Sequence, residues 1–161
     1  MIYILTGEIR SGKTSALLEW CKNRDDIDGL LCPDNARGKR YFLEVKSKNE
    51  FELETERETE AIIEIGNFKF LKSAFEKANS YLQSVASENE SRYLIVDELG
   101  KLELKNEGLH PSARKLISNY ETNENKHLIL VVRDYLLEAL LTHYSIEEYR
   151  ILTKVNIETL N

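Results

Sequence analysis

The stretch GEIRSGKT, Gly7 to Thr14, fits the phosphate-binding loop pattern G-x-x-x-x-G-K-[ST]. It follows an apolar run, Ile2 to Leu5, that reads as a buried strand. It precedes a helical pattern that puts Ala16, Leu17, Trp20 and Cys21 on one face. Strand, loop and helix in this order separate a working phosphate loop from a glycine-bearing turn. Gly7 and Gly12 let the backbone turn tightly and approach a phosphate with no side chain in the way. The amides from Glu8 through Ile9, Arg10 and Ser11 to Thr14 then point inward, and the positive end of the helix adds to them. Lys13 is a mobile charge for the β- and γ-phosphates, and the Thr14 hydroxyl is a candidate ligand for Mg²⁺.

Working outward, a chain of 161 residues is long enough for one well-filled core, so residues 1–161 read as a single domain. Hydrophobic residues make up 42% and charged residues 31%, the balance of an ordinary soluble protein. No apolar stretch approaches the roughly 20 residues needed to span a bilayer, so no membrane partner is expected. The first apolar run is short and has no basic lead, unlike a secretory signal. Cys21 and Cys32 have no CxxC partner, which suits free thiols in a cytoplasmic protein. The net charge of -6 disfavours a dedicated nucleic-acid binder. Seven Glu against Lys46, Lys48 and Arg57 between Glu44 and Glu60 account for -4 of that charge.

A second short strand is expected from Gly29 to Cys32, and a basic loop with Arg37, Lys39 and Arg40 follows Pro33. Tyr41, Leu43 and Val45 then alternate with Glu44 and Lys46, and Phe51 and Leu53 alternate with Glu50, Glu52 and Glu54. This predicts an antiparallel hairpin with one face in water, its Glu side chains solvated. Ile62, Ile63 and Ile65 suit a third strand of that meander, and the spacing predicts an amphipathic helix over 68–86. Continuous apolar runs at Tyr93–Val96 and Leu128–Val132 predict strands buried on both faces, with a last candidate at Tyr149–Leu152. Helices are expected at Pro111–Tyr120 and after Asp134, which reads as a cap. The pattern is an α/β three-layer fold with a mostly parallel central sheet and an antiparallel hairpin at one edge.

In such folds ligands sit beyond the carboxyl ends of the parallel strands. The 93–96 strand ends in Asp97-Glu98. An apolar run closing in an acid is the second half of a phosphate-loop site, with Asp97 holding Mg²⁺. Glu98 beside the γ-phosphate would orient or deprotonate a water, which tilts the reading from phosphotransfer to hydrolysis. Arg37 and Arg40 are candidates either for nucleotide phosphates or for pairing with the acidic hairpin. Arg133, at another strand end, is a candidate for neutralising charge in the transition state or for a surface ion pair. Arg10 faces the γ-phosphate or solvent. His110, His127 and His143 have no ligand spacing and read as structural.

These residues also resemble a family. LIVDELGKLEL, Leu94 to Leu104, is similar to the D-E-[IL]-G-K-[ML]-E-L segment of the small thermophilic nucleoside-triphosphatases, whose animal relatives are the cancer-related nucleoside-triphosphatases. ARGKRYFLEV, Ala36 to Val45, resembles that family's R-x-x-G-x-R-x-G-F stretch. The resemblance runs over nearly the whole chain. It departs at Ile9 and Arg10, which replace a Pro-Gly pair, at Ser15, which replaces a second Thr, and at Tyr41, which replaces a Gly. It implies a RecA-like strand arrangement in a P-loop NTPase and slow Mg²⁺-dependent hydrolysis of ATP, GTP and other nucleoside triphosphates. It further implies nucleotide contacts from Gly7 through Ser15, Mg²⁺ at Thr14 and Asp97, and water activation by Glu98. Lys13, Glu98 and Arg133 are thus the catalytic candidates. Two other readings stay open: a small-molecule or nucleotide kinase on the same architecture, and a nucleotide-gated regulator with negligible turnover. A protein partner is not legible in the chain.

Overall fold

The apolar runs become strands and the amphipathic stretches become helices laid against them. A computed structural model describes residues 1–58, 60–88 and 90–160. The elements are β1 (Ile2–Gly7), α1 (Lys13–Trp20), β2 (Ile27–Leu31), β3 (Tyr41–Glu44), β4 (Glu50–Glu52), β5 (Ile62–Ile65) and β6 (Phe68–Leu71). They continue as α2 (Lys72–Glu88), β7 (Tyr93–Leu99), α3 (Lys101–Leu104), α4 (His110–Glu121), β8 (His127–Arg133), α5 (Leu137–Tyr144) and β9 (Arg150–Leu152). Short 3₁₀ turns cover Asp134–Leu136 and Ile157–Thr159.

A seven-stranded sheet has the order β4-β3-β2-β7-β8-β1-β9. β2, β7, β8, β1 and β9 run parallel, while β3 and β4 pair antiparallel at one edge. The fully apolar strands are explained by cover on both faces. Leu94 and Val96 of β7 pack with α2, α4 and α5; Tyr93 and Ile95 pack with Leu17 and Trp20 of α1. Gly29 makes one junction possible. It lies opposite Ile95 of β7 with φ +126, and a Cβ there would stand 2.2 Å from the Ile95 carbonyl oxygen. Only glycine permits both that backbone angle and that approach.

The region between β3 and α2 departs from expectation. Phe68–Leu71 is a strand rather than the first turn of the helix, and it pairs with β5 as a separate two-stranded sheet. The helix therefore begins at Lys72. Apolar residues at 68, 70 and 71 satisfy a period of two as readily as a helical period, and pairing with Ile62–Ile65 decided between them. The segment after β4 bridges β6, not β5, through Glu54 and Phe70. The β3–β4 hairpin does not present a clean wet face. Phe42 is 1% exposed, so β3 is covered on both sides. Glu44 is also buried, and it accepts hydrogen bonds from the Ser47 hydroxyl and from the Asn49 side chain. Glu54 is buried as well, accepting from the Arg40 amide. Asp134 lies inside its 3₁₀ turn, and its carboxylate accepts from the Tyr135 amide rather than capping α5.

Candidate nucleotide-binding and active site

β1 delivers the chain to Gly7 at the carboxyl edge of the sheet, and α1 starts six residues later at Lys13. Gly12, immediately before the helix, has φ +86, a left-handed conformation that glycine adopts without strain. Lys13 is almost fully buried. Its ammonium donates to the carbonyls of Gly7 at 3.1 Å and Glu8 at 2.7 Å, closing the loop on itself. Ile9, Arg10, Ser11, Gly12, Thr14 and Ser15 line the cavity in front of the loop, while Gly7 and Glu8 contribute the carbonyls that hold Lys13.

The Thr14 hydroxyl donates to Asp97 Oδ2 at 2.8 Å, and the Cys32 amide donates to the same oxygen at 3.1 Å. Three elements therefore meet at one carboxylate: the start of α1, the end of β7 and the end of β2. Asp97 is 1% exposed. Burial, reinforced by the neighbouring Glu98 charge, pushes its carboxyl up to about 7. Thr14 and Asp97 are hard oxygen donors of the kind Mg²⁺ takes. A divalent cation between them would supply the opposite charge that burial denies Asp97, so the residues present fit the ion. Among the described residues no group of three or more His, Cys, Asp or Glu is arranged for a metal. Mg²⁺ held mainly by substrate oxygens needs no such cage.

Glu98 stands beside Asp97 across a cis peptide bond. Its Oε1 lies 3.0 Å from Arg133 Nε and 3.7 Å from Arg40 Nη1. The two basic residues that follow Gly38 thus divide. Lys39 pairs with Glu54 and Glu56 of the acidic stretch, and Arg40 turns into the cavity. Arg37 is exposed and lines a neighbouring groove along β4, outside the nucleotide cavity. Arg133, open in the sequence between a transition-state role and a surface ion pair, lines the cavity at the end of β8 and pairs there with Glu98. Arg10 is exposed at the loop crest with φ +56.

Two contributions escaped the sequence reading. Glu103 is buried, and its two carboxylate oxygens accept the amides of Gly100 at 2.7 Å and Leu109 at 2.9 Å. Burial raises its carboxyl above the ordinary range. It ties down the turn after Glu98, and its place in the ELGKLEL segment was the available signal. Lys154, beyond β9, donates to the Ser11 carbonyl at 2.9 Å and so braces the loop from the other side. No sequence signal marks it, because the contact joins residues far apart in the chain.

Loop, acids and arginines open on one cavity of about 680 Å³, within the usual range for small-molecule sites. Its far wall is apolar, made by Phe42, Leu53, Phe70 and Phe75.

Comparisons with known proteins bear on the fold and the family. A structure of THEP1 from the hyperthermophile Aquifex aeolicus is similar, with a TM-score of 0.71 at 17% identity. The match covers 99% of this chain and 94% of that one. At that identity the likeness speaks for the fold: a P-loop NTPase arrangement with a mostly parallel sheet. No curated protein sequence matches the chain. The family model described as NTPase matches residues 2–161, nearly the whole chain, and supports triphosphatase activity in general. With the phosphate loop and the acid pair both in place, the chain belongs to this NTPase family.

Proposed function

We propose that the protein hydrolyses nucleoside triphosphates, ATP and GTP among them, to diphosphate and phosphate with Mg²⁺. The observation that carries this reading is Glu98. Its carboxylate sits next to the Thr14–Asp97 pair, at the mouth of the loop, between two arginines.

The loop amides and the amino end of α1 bind the α- and β-phosphates. Lys13 exchanges the carbonyls of Gly7 and Glu8 for β- and γ-phosphate oxygens, a charge-assisted contact of the stronger kind. Thr14 and Asp97 would hold Mg²⁺, which would supply positive charge to neutralise that of the phosphates. Glu98 accepts a hydrogen bond from a water in front of the γ-phosphorus. As the water oxygen bonds to phosphorus, its proton passes to Glu98 and the bond to the β-phosphate bridging oxygen breaks. Arg133 and Arg40 swing from Glu98 toward the γ-phosphoryl oxygens, where the charge is spread in the transition state. A site built on phosphates discriminates weakly between bases, which suits action on several nucleotides.

The test is phosphate release from ATP and GTP, with Mg²⁺ and with EDTA, for the wild type and for Glu98→Gln. Release that depends on the metal and is lost in the variant supports the assignment. Tight binding of ATP with equal release from both proteins would remove Glu98 from the chemistry.

A further inference from the structure

Glu98 faces the place of the γ-phosphoryl group, and the turn that carries Glu98 carries one more charge. β7 ends at Leu99, which pairs with Val132 of β8 and is buried. Glu98 before it and Lys101 after it both line the cavity. Lys101 is the first residue of α3, and its backbone is held firmly. The next two residues, Leu102 and Glu103, are buried. Glu103 accepts the Gly100 and Leu109 amides with its two oxygens. Gly108, with φ +63, leaves room for that carboxylate, which a Cβ would meet. A fixed backbone therefore presents the exposed Lys101 to the same cavity as Glu98.

The cations that line this cavity fall into two groups. Lys13 donates to the Gly7 and Glu8 carbonyls, and Arg40 and Arg133 both face Glu98. Among the described residues Lys101 and Arg10 make no ion pair and no side-chain hydrogen bond. The carboxylates closest to Lys101 in the chain are taken. Glu98 is shared by two arginines, and Glu103 spends both oxygens on amides. Arg10 belongs to the phosphate loop itself. Lys101 stands on a different element, three residues past Glu98. An ammonium left unpaired in a cavity built around phosphates is placed for an anionic oxygen.

We infer that Lys101 is a further catalytic residue, whose ammonium donates hydrogen bonds to the non-bridging oxygens of the γ-phosphoryl group. The inference rests on the triphosphate site proposed above. In that site the α- and β-phosphates lie on the loop amides and the amino end of α1, and the γ-phosphoryl group is the one that faces the end of β7. Lys101 keeps its protons throughout, and the proton of the attacking water still passes to Glu98. Its part differs from that of the arginines. Arg40 and Arg133 give up Glu98 to reach the phosphate, whereas Lys101 gives up no protein contact. It therefore acts already on the bound triphosphate and distinguishes it from a diphosphate, which has no oxygens at that place.

Three variants of the full chain test this. Lys101→Met keeps the stem and removes the charge, and Lys101→Arg keeps the charge. Lys105→Met removes an exposed charge just past the end of α3, outside the cavity. Calorimetry with Mg²⁺ gives the affinities for a β,γ-imido ATP analogue and for ADP, a phosphate assay gives the KM for ATP, and urea gives the unfolding midpoint. Lys101→Met should weaken analogue binding about tenfold, the worth of one charge-assisted hydrogen bond, and raise the KM for ATP in parallel. Its ADP affinity and its urea midpoint should match the wild type. Lys101→Arg should recover most of the loss, and Lys105→Met should show none of it. Equal losses for the analogue and for ADP would overturn the γ-phosphoryl assignment. The same loss in Lys105→Met would reduce Lys101 to a share in the general field. A lowered midpoint with no rescue by arginine would make its role structural. No change in any variant, with phosphate release still abolished by Glu98→Gln, would overturn the inference and leave the hydrolase reading standing. A wild type that neither binds the analogue nor releases phosphate would overturn the triphosphate reading and this inference with it.

Discussion

The loop Gly7–Thr14 and the aromatic wall of Phe42, Phe70 and Phe75 face the same cavity and are built by opposite means. The loop is made of consecutive residues. Its binding groups are mainly backbone amides, and its shape follows from two glycines and a helix start. The wall collects residues from β3, β6 and α2, and no local pattern unites them. A local device of this kind can be read as a motif and can carry one chemistry onto many chains. A wall assembled from distant elements leaves no such motif. Glu98, Arg133 and Arg40 stand at the border, where three separate strand ends converge.

The sharpest way to test the division is to disable the chemistry and leave both walls intact. Glu98→Gln should cut turnover by about 10²–10⁴-fold, the usual range for a positioned general base, with ATP affinity retained. Calorimetry beside a phosphate assay checks this, and a joint loss of affinity and turnover would mean that Glu98 supports the loop itself. Next in size is the junction of β2 and β7. Gly29→Ala should cost about 3 kcal/mol of stability, because a Cβ would meet the Ile95 carbonyl at 2.2 Å with φ +126. Urea denaturation measures it, and a change below 1 kcal/mol, a factor of roughly five in equilibrium, would contradict the close approach.

Lys13→Ala should weaken triphosphate binding by about 10–100-fold, the worth of one or two charge-assisted hydrogen bonds. Equal affinity in calorimetry would count against use of the loop. The finest comparison is between neighbours in the basic loop. Arg40→Ala should lower turnover several-fold through its contact with Glu98, whereas Lys39→Ala, whose ammonium pairs with Glu54 and Glu56, should leave it unchanged. Equal effects from both would place the whole 37–40 segment in one role and blur the border between site and hairpin.

Much of the site was legible because its parts obey local rules. A strand, a glycine loop and a helix start are contiguous, and Asp97-Glu98 closes a run buried on both faces. Arg133 stood at a strand end, where ligands sit in such folds, but its pairing with Glu98 was not legible. The basic loop was ambiguous for a physical reason. Arg37, Lys39 and Arg40 are chemically alike in sequence, and only the turn of the chain after Gly38 sends Arg40 inward and leaves Arg37 beside β4.

The chain by itself thus determined the phosphate loop, the acid pair, the parallel core strands and the helices against them, because each is encoded within a dozen residues by periodicity and backbone preference. The tertiary structure alone decided that Phe68–Leu71 pairs as a strand, that Glu44, Glu54 and Glu103 are buried, that Lys154 braces the loop, and that aromatic rings from three elements pack together behind the cavity. Those outcomes depend on which distant segment arrives as a partner, and a period of two or a carboxylate side chain carries no record of that.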